Sequence, residues 1–257
     1  MAMKLNRFLE VTAFVVTLTA ASSLVADTLF DSEGFESPAY SLGSLTGQNG
    51  WGKDGIGTAT VQSGVVQSGS QAVELTGNYS EWHWRELNYT ADPNEFVRVT
   101  AGIMRASSGT PTKNYGFFLD AYNLDLDRIG RAGLGVSGGN PALYVTYKDD
   151  SFGVADYVLE TGLSWDTWYT LQIDFWFNKQ TFDVYLDDIL ISDNLAFVTS
   201  ANDLSDIDLT KQYTGGATDI GYFDNYKVEA LPVPEPSAIS LALLGLAGVA
   251  LRLRRGR

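Results

Sequence analysis

The densest gathering of side chains able to do chemistry in this chain is Tyr79, Trp82, His83, Trp84, Arg85, Glu86 and Tyr89. Exposed aromatic rings stack on the apolar faces of sugars, and flanking polar groups fix the sugar's orientation. The composition therefore points to a sugar platform. On a strand, successive side chains alternate between faces. Trp82, Trp84 and Glu86 would then share one face, with His83 and Arg85 on the other. Trp176 and Tyr185 point away from the apolar faces of their own segments and are expected as further ligand contacts on a neighbouring hairpin. The competing reading of the tryptophans is packing in the core or at a sheet edge. His83 reads as a surface or structural histidine.

Glycoside hydrolysis requires two facing carboxyls at a defined separation. Glu81 and Glu86 fall on opposite faces of their segment. Asp183 and Asp187 share a face but stand four residues apart on one strand, about 13 Å, too far for either stereochemical course. Hydrolysis is the least favoured activity, and no catalytic residue is assigned. The chain has no cysteine and a single histidine, which excludes thiolate chemistry and zinc sites built on several histidines. Asn123, Asp125 and Asp127 have the alternating oxygens of a calcium loop, without the glycine and distal glutamate that complete one.

The segments that must position these residues are strands. Val97, Val99, Ala101 and Ile103 alternate with Arg98, Thr100 and Gly102. Leu171, Ile173, Phe175 and Phe177 share a face, as do Phe182, Val184 and Leu186. Period-two runs bounded by Gly, Asn and Asp mark half-buried antiparallel strands. They are expected near 28–31, 58–62, 71–77, 82–90, 96–106, 115–122, 129–136, 142–148, 168–177, 180–187, 189–192 and 219–229. Asn178-Lys179 reads as the turn of a hairpin. Residues 193–214 read as a long loop or a helical turn. The fold class is all-β, an antiparallel β-sandwich or jelly roll in one domain over 27–231. Residues 27–233 carry 11 Lys and Arg against 29 Asp and Glu, a net charge of −18. A basic stripe for phosphate is missing, so nucleic acid is not an expected partner. Acidic polysaccharide is disfavoured as well, unless divalent cations bridge.

Both termini carry addresses. Lys4 and Arg7 precede an apolar segment at 11–18 and small residues up to Ala26, the pattern of a secretory signal peptide over 1–26. Cleavage after Ala21 or Ser23 and an uncleaved anchor are the alternatives. At the other end, Pro234, Glu235 and Pro236 are followed by an apolar stretch at 238–251, then Arg252, Arg254, Arg255 and Arg257. The stretch is short for a bilayer core, which needs ~20 residues, but flanking arginines can snorkel and extend it. Four terminal arginines put the C-terminus on the cytoplasmic side. This three-part tail, 232–257, resembles the PEP-CTERM protein-sorting signal. The resemblance implies a Gram-negative bacterial protein held transiently in the inner membrane. It further implies cutting near Pro-Glu-Pro by an exosortase-type enzyme and delivery to the cell surface or an extracellular polysaccharide matrix. The alternative is an ordinary C-terminal membrane anchor.

The body has its own ordered motifs. Phe30 to Glu36 comes first, followed by Gly47-Gln48-Asn49-Gly50-Trp51. Gln67-Ser68-Gly69-Ser70-Gln71-Ala72-Val73 and Trp165-Asp166-Thr167-Trp168 come next, ahead of Val184-Tyr185-Leu186-Asp187. Ile220-Gly221-Tyr222-Phe223-Asp224-Asn225-Tyr226 closes the series. Together they resemble the concanavalin A-like lectin/glucanase jelly roll, with its laminin-G-like relatives. Asp187-Asp188 stands where those relatives often have Asp-Gly in a turn. The resemblance implies first and last strands side by side. Acids near both ends would then gather, and calcium wants such oxygens. By likeness to β-sandwich carbohydrate-binding modules, structural calcium is expected on Glu36 and Asp224. The function expected is non-catalytic binding of extracellular polysaccharide by a surface or matrix protein. The alternative is a structural or adhesive matrix component without a discrete ligand site.

Overall fold

The computed structural model describes residues 26–77, 80–108, 116–149, 151, 153–212 and 219–233. The expected signal peptide up to residue 25, the sorting tail from residue 234 onward and Tyr79 lie outside these residues. The first half of the chain forms β1 (Asp27–Asp31), β2 (Gly43–Ser44), β3 (Gly52–Gly55), β4 (Thr58–Gln62), β5 (Ala72–Thr76), β6 (Glu81–Trp84), β7 (Tyr89–Thr90), β8 (Glu95–Arg105) and β9 (Phe117–Tyr122). The second half forms β10 (Arg128–Ser137), β11 (Asn140–Asp149), β12 (Gly153–Glu160), β13 (Trp168–Trp176), β14 (Thr181–Leu186), β15 (Ile189–Ala196), β16 (Asp203–Leu204), β17 (Asp206–Lys211) and β18 (Gly221–Pro232). Among the described residues there is one 3-10 turn, Glu33–Phe35, and no helix long and apolar enough to cross a membrane.

Two antiparallel sheets face each other. The nine-stranded sheet runs β15-β14-β13-β8-β18-β5-β4-β2, with β1 also pairing β18. The seven-stranded sheet runs β12-β11-β10-β9-β17-β6-β3. The alternation seen in the sequence becomes the core. Val97, Val99, Ala101, Ile103, Leu171, Ile173 and Phe175 meet Leu119, Ala121, Ala132, Leu134, Ile207 and Leu209 in one continuous cluster. Each fully buried Val, Leu, Ile or Phe among them contributes about 1.5–3 kcal/mol. The sheets touch closely at Gly130, where a Cβ would come within 2.6 Å of the Phe182 ring.

The first and last described strands meet as expected. β1 pairs β18 through Asp31↔Lys227 and Phe30↔Val228. Between Asp224 and Lys227 the register of β18 against β8 shifts. Asn225 sits at this bulge with φ +51°. Here β18 passes from β5 as neighbour to β1. Beneath the junction Phe30, Phe35, Tyr40, Trp51 and Tyr226 interlock edge-on or tilted, with ring centroids 5.2–6.1 Å apart. Trp51 Nε1 donates to the Tyr40 hydroxyl at 3.0 Å, and Tyr226 donates to the Ile207 carbonyl at 2.8 Å. Buried polar tips are thereby satisfied.

Three expectations require correction. Residues 193–214 form no helical turn among those described. They extend β15 and supply β16 and β17, and β17 lies between β9 and β6 in the sheet. The strand expected over 82–90 breaks after Trp84, because Leu87 and Asn88 both turn their N–H groups to the Ser205 carbonyl. Short strands at Gly52–Gly55 and Gly153–Glu160, absent from the expectation, complete the two edges of the seven-stranded sheet. The Asp187-Asp188 turn closes a two-residue hairpin, with Leu186 paired to Ile189. Both aspartates have positive φ, +50° and +63°, the conformation a two-residue type I′ loop requires.

Candidate functional site

β17 explains the outer face of the seven-stranded sheet. Ile207 and Leu209 point into the core, so Asp206, Asp208 and Thr210 point outward. In register beside them on β9 stand Tyr122, Asp120 and Phe118. On the other flank Thr210 pairs with Trp82, which in turn pairs with Asp54 of β3. The result is a groove of about 500 Å³, within the range of small-ligand sites (about 300–1,000 Å³). Trp82, Trp84 and Glu86 line one wall, with Asp54 beside them. Tyr122 and Leu126 form the other, and Ser205, Asp206 and Asp208 complete it. Trp82 and Trp84 are half-buried. Gly52 lies so close under Trp84 that a Cβ there would overlap the indole.

The charges divide into two sets. Asp120 is fully buried and takes a bidentate pair from Arg128, at 2.6 and 2.8 Å. Arg128 also donates to the Tyr122 hydroxyl at 2.9 Å. Arg131 donates to Thr146 at 2.7 Å and to Asp156 at 2.9 and 3.1 Å, and lies 4.3 Å over the Phe118 ring. Both arginines are thus occupied by the β9–β12 side of the face. Asp206 and Asp208 stand two residues apart on the same face of β17, and the Ser205 hydroxyl donates to Asp206 at 2.7 Å. Burial pushes both carboxyls above their ordinary range. Asp208 moves well above it, because Asp206, Asp120 and Asp54 add repulsion. Oδ1 of Asp208 has no hydrogen-bond partner although the residue is only 4 % exposed.

The sequence-derived residues fall into separate places. Trp82, Trp84 and Glu86 share the groove. Arg85 faces away from it, 4.8 Å over the Phe30 ring, with its guanidinium donating to the Glu86 carbonyl. His83 points inward and is fully buried, 3.5 Å from Glu81. It is therefore a structural and not a surface histidine. Trp176 and Tyr185 do not join the tryptophan pair: they stand on the outer face of the nine-stranded sheet. Trp176 stacks on Phe96 at 4.4 Å, with Lys179 at 4.0 Å over its ring and Asp183 accepting from its Nε1. Tyr185 pairs in register with Gln172, four residues along the strand from Trp176.

Glu36 and Asp224 do approach one another. Glu36 Oε1 accepts from the amides of Ser70 and Gln71 at 2.6 and 2.9 Å. Asp224 Oδ2 accepts from Gln67 and Ser68 at 3.0 and 3.1 Å, and Oδ1 from Asn225 at 2.7 Å. The two carboxylates clamp the 67–71 loop across the chain-end junction. Gly69, at φ +65°, passes so near Glu36 that a side chain there would overlap it. Asn123 and Asp127 close the β9–β10 turn by bonding to each other, at 2.8 and 3.0 Å. Among the described residues no three His, Asp or Glu side chains are placed to hold a metal together.

Sequence reasoning missed Asp206, Asp208 and Tyr122. The signal was present as Asp-Ile-Asp-Leu-Thr-Lys, a period-two run. Aspartate is depleted in strands, so the run reads as loop until its neighbours are known.

Residues 232–255 match the PEP-CTERM protein-sorting motif. The motif implies export and sorting by an exosortase. No curated protein matches this chain in sequence. The body is an all-β sandwich, similar to an endo-β-1,4-glucuronan lyase from the fungus Trichoderma reesei. That likeness has 16% identity, covers 73% of this chain and 92% of the lyase, and has a TM-score of 0.53. A sialidase is similar at 8% identity over 79% of this chain and 18% of its own length, TM-score 0.52. The xylan-binding domain CBM22-1 from Paenibacillus barcinonensis aligns at 15% identity over 84% of this chain and all of that domain, TM-score 0.43. At such identities the likeness establishes the sandwich fold, and the site must argue for itself.

Proposed function

We propose that this protein is a non-catalytic glycan-binding module displayed at the cell surface or in the extracellular matrix. In this reading the tail is anchored transiently in the inner membrane before processing near Pro234-Glu235-Pro236. The observation that carries the binding is the groove with Trp82 and Trp84 half-exposed along one wall and carboxylates beside them. Aromatic faces bind sugar rings, and polar groups at the groove floor orient them. The carboxyls of Asp206 and Asp208 are the one feature favouring a hydrolase. They stand at i and i+2 on one strand, side by side on the same face, whereas a glycosidase places its two carboxyls on either side of the scissile bond. Binding is therefore preferred over cleavage. Calcium on Glu36 and Asp224 belongs to the same proposal as a support of the fold at the chain-end junction, away from the groove.

The test is retention of the purified protein on immobilised polysaccharides, with Trp84→Ala alongside. Saturable binding lost in a folded Trp84→Ala variant supports the module. Absence of binding to every glycan returns the protein to a structural or adhesive role. Release of new reducing ends or unsaturated ends would make it an enzyme.

A further inference from the structure

The groove is acidic, and among the described residues that line it there is no cation to balance the acids. Asp54, Glu86, Asp206 and Asp208 all line it. The arginines of the same face are held by Asp120, Asp156 and Thr146. Unpaired buried carboxylates are costly, and an arrangement of this kind is relieved when a ligand brings positive charge. Oδ1 of Asp208 has no hydrogen-bond partner. An ammonium group offers three donors and is attracted to the faces of Trp82 and Trp84, as cations are to indole. A neutral sugar would use the rings but leave the acid pair uncompensated, and a uronate would be repelled by it.

We infer that the groove selects a glycan bearing free amino groups, a de-N-acetylated hexosamine whose ammonium sits on Asp206 and Asp208 while its ring lies against Trp82 or Trp84. The inference rests on the glycan-binding reading and names the substrate class of that site. Asp54 and Glu86 lie at the same groove and can meet the amines of adjacent units. The ring selects a sugar over a bare cationic chain, because polyamines and lysine peptides have no pyranose face to stack.

The experiment is calorimetric titration of the purified protein with three short oligosaccharides of equal length: β-1,4-glucosamine, its N-acetylated form and cellulose-derived glucose. The free-amine oligomer should bind at least ~10-fold tighter than the other two, with a preference that shrinks as salt rises. Asp208→Asn, close in shape, should abolish the preference, whereas Asp188→Asn on the exposed β14–β15 turn should keep it. Trp84→Ala should weaken all three. Equal binding of free-amine and acetylated oligomers overturns the amino-sugar inference and leaves glycan binding standing. Equal loss of preference in Asp188→Asn assigns it to overall charge and overturns the site. Absence of binding by all three overturns the amino-sugar inference, and the polysaccharide panel then decides the glycan-binding reading on its own.

Discussion

Trp84 lies flat across Gly52, so that the indole occupies the space any side chain at 52 would need. Gly52 of β3 pairs with Trp84 of β6 in register. The glycine thus sets how deep the ring lies and leaves its other face to the groove. Gly52→Ala should push the ring out, cost about 1–3 kcal/mol as an overpacking change, and weaken glycan binding. Unchanged tryptophan fluorescence and unchanged affinity would show that the ring position does not depend on Gly52.

Asp208 makes the protein's stability depend on pH in a defined direction. Its folded pKa lies well above the ordinary carboxyl value, so the folded state binds more protons than the unfolded one through that window. The stabilisation is fully present below the unfolded pKa and is lost as pH rises toward the folded pKa. Asp208→Asn should therefore raise Tm at neutral pH, by about 2–4 °C for each kcal/mol of repulsion relieved. It should also flatten the fall of Tm above pH 4. A lowered Tm at neutral pH would mean that the ionised carboxylate is favourably held.

The Glu36–Asp224 clamp fixes the 67–71 loop over the chain-end junction. Glu36→Ala strands two amide donors and should cost about 1–3 kcal/mol. Gly69→Ala should cost at least as much, through both its positive φ and its overlap with Glu36. Bound calcium would raise Tm by mass action on the folded state, and melts in EDTA and then in excess calcium read this directly. A Tm that ignores both assigns the two carboxylates to the amide clamp alone.

Trp176 contributes to packing of the other sheet. Its stack on Phe96 and its bond to Asp183 predict that Trp176→Ala lowers stability by about 1–2 kcal/mol, stacking and lost area together. Glycan affinity should stay within twofold. A large loss of affinity with an unchanged Tm would move the binding face to the nine-stranded sheet.

The chain's own pattern determined the fold class. Alternating runs such as 97–103 and 171–175 can bury one face only as strands in a sandwich. Polar punctuation by Gly, Asn and Asp places the turns, even where Asp187-Asp188 replaces the usual glycine. The tail was equally legible, since proline, apolar stretch and arginines act locally and need no partner. Pairing of Trp82 with Trp84 followed from period two alone. Which sheet carries them, and what faces them, did not. Strand order brings β17 between β9 and β6, whose paired residues lie 84 to 130 positions away in the chain, and only that order turns Asp206 and Asp208 from loop acids into the floor of an aromatic groove. The same order sends Trp176 and Tyr185 to the opposite surface. A side chain's direction is a local property of the strand, whereas the company it keeps depends on long-range hydrogen bonding that no single segment encodes.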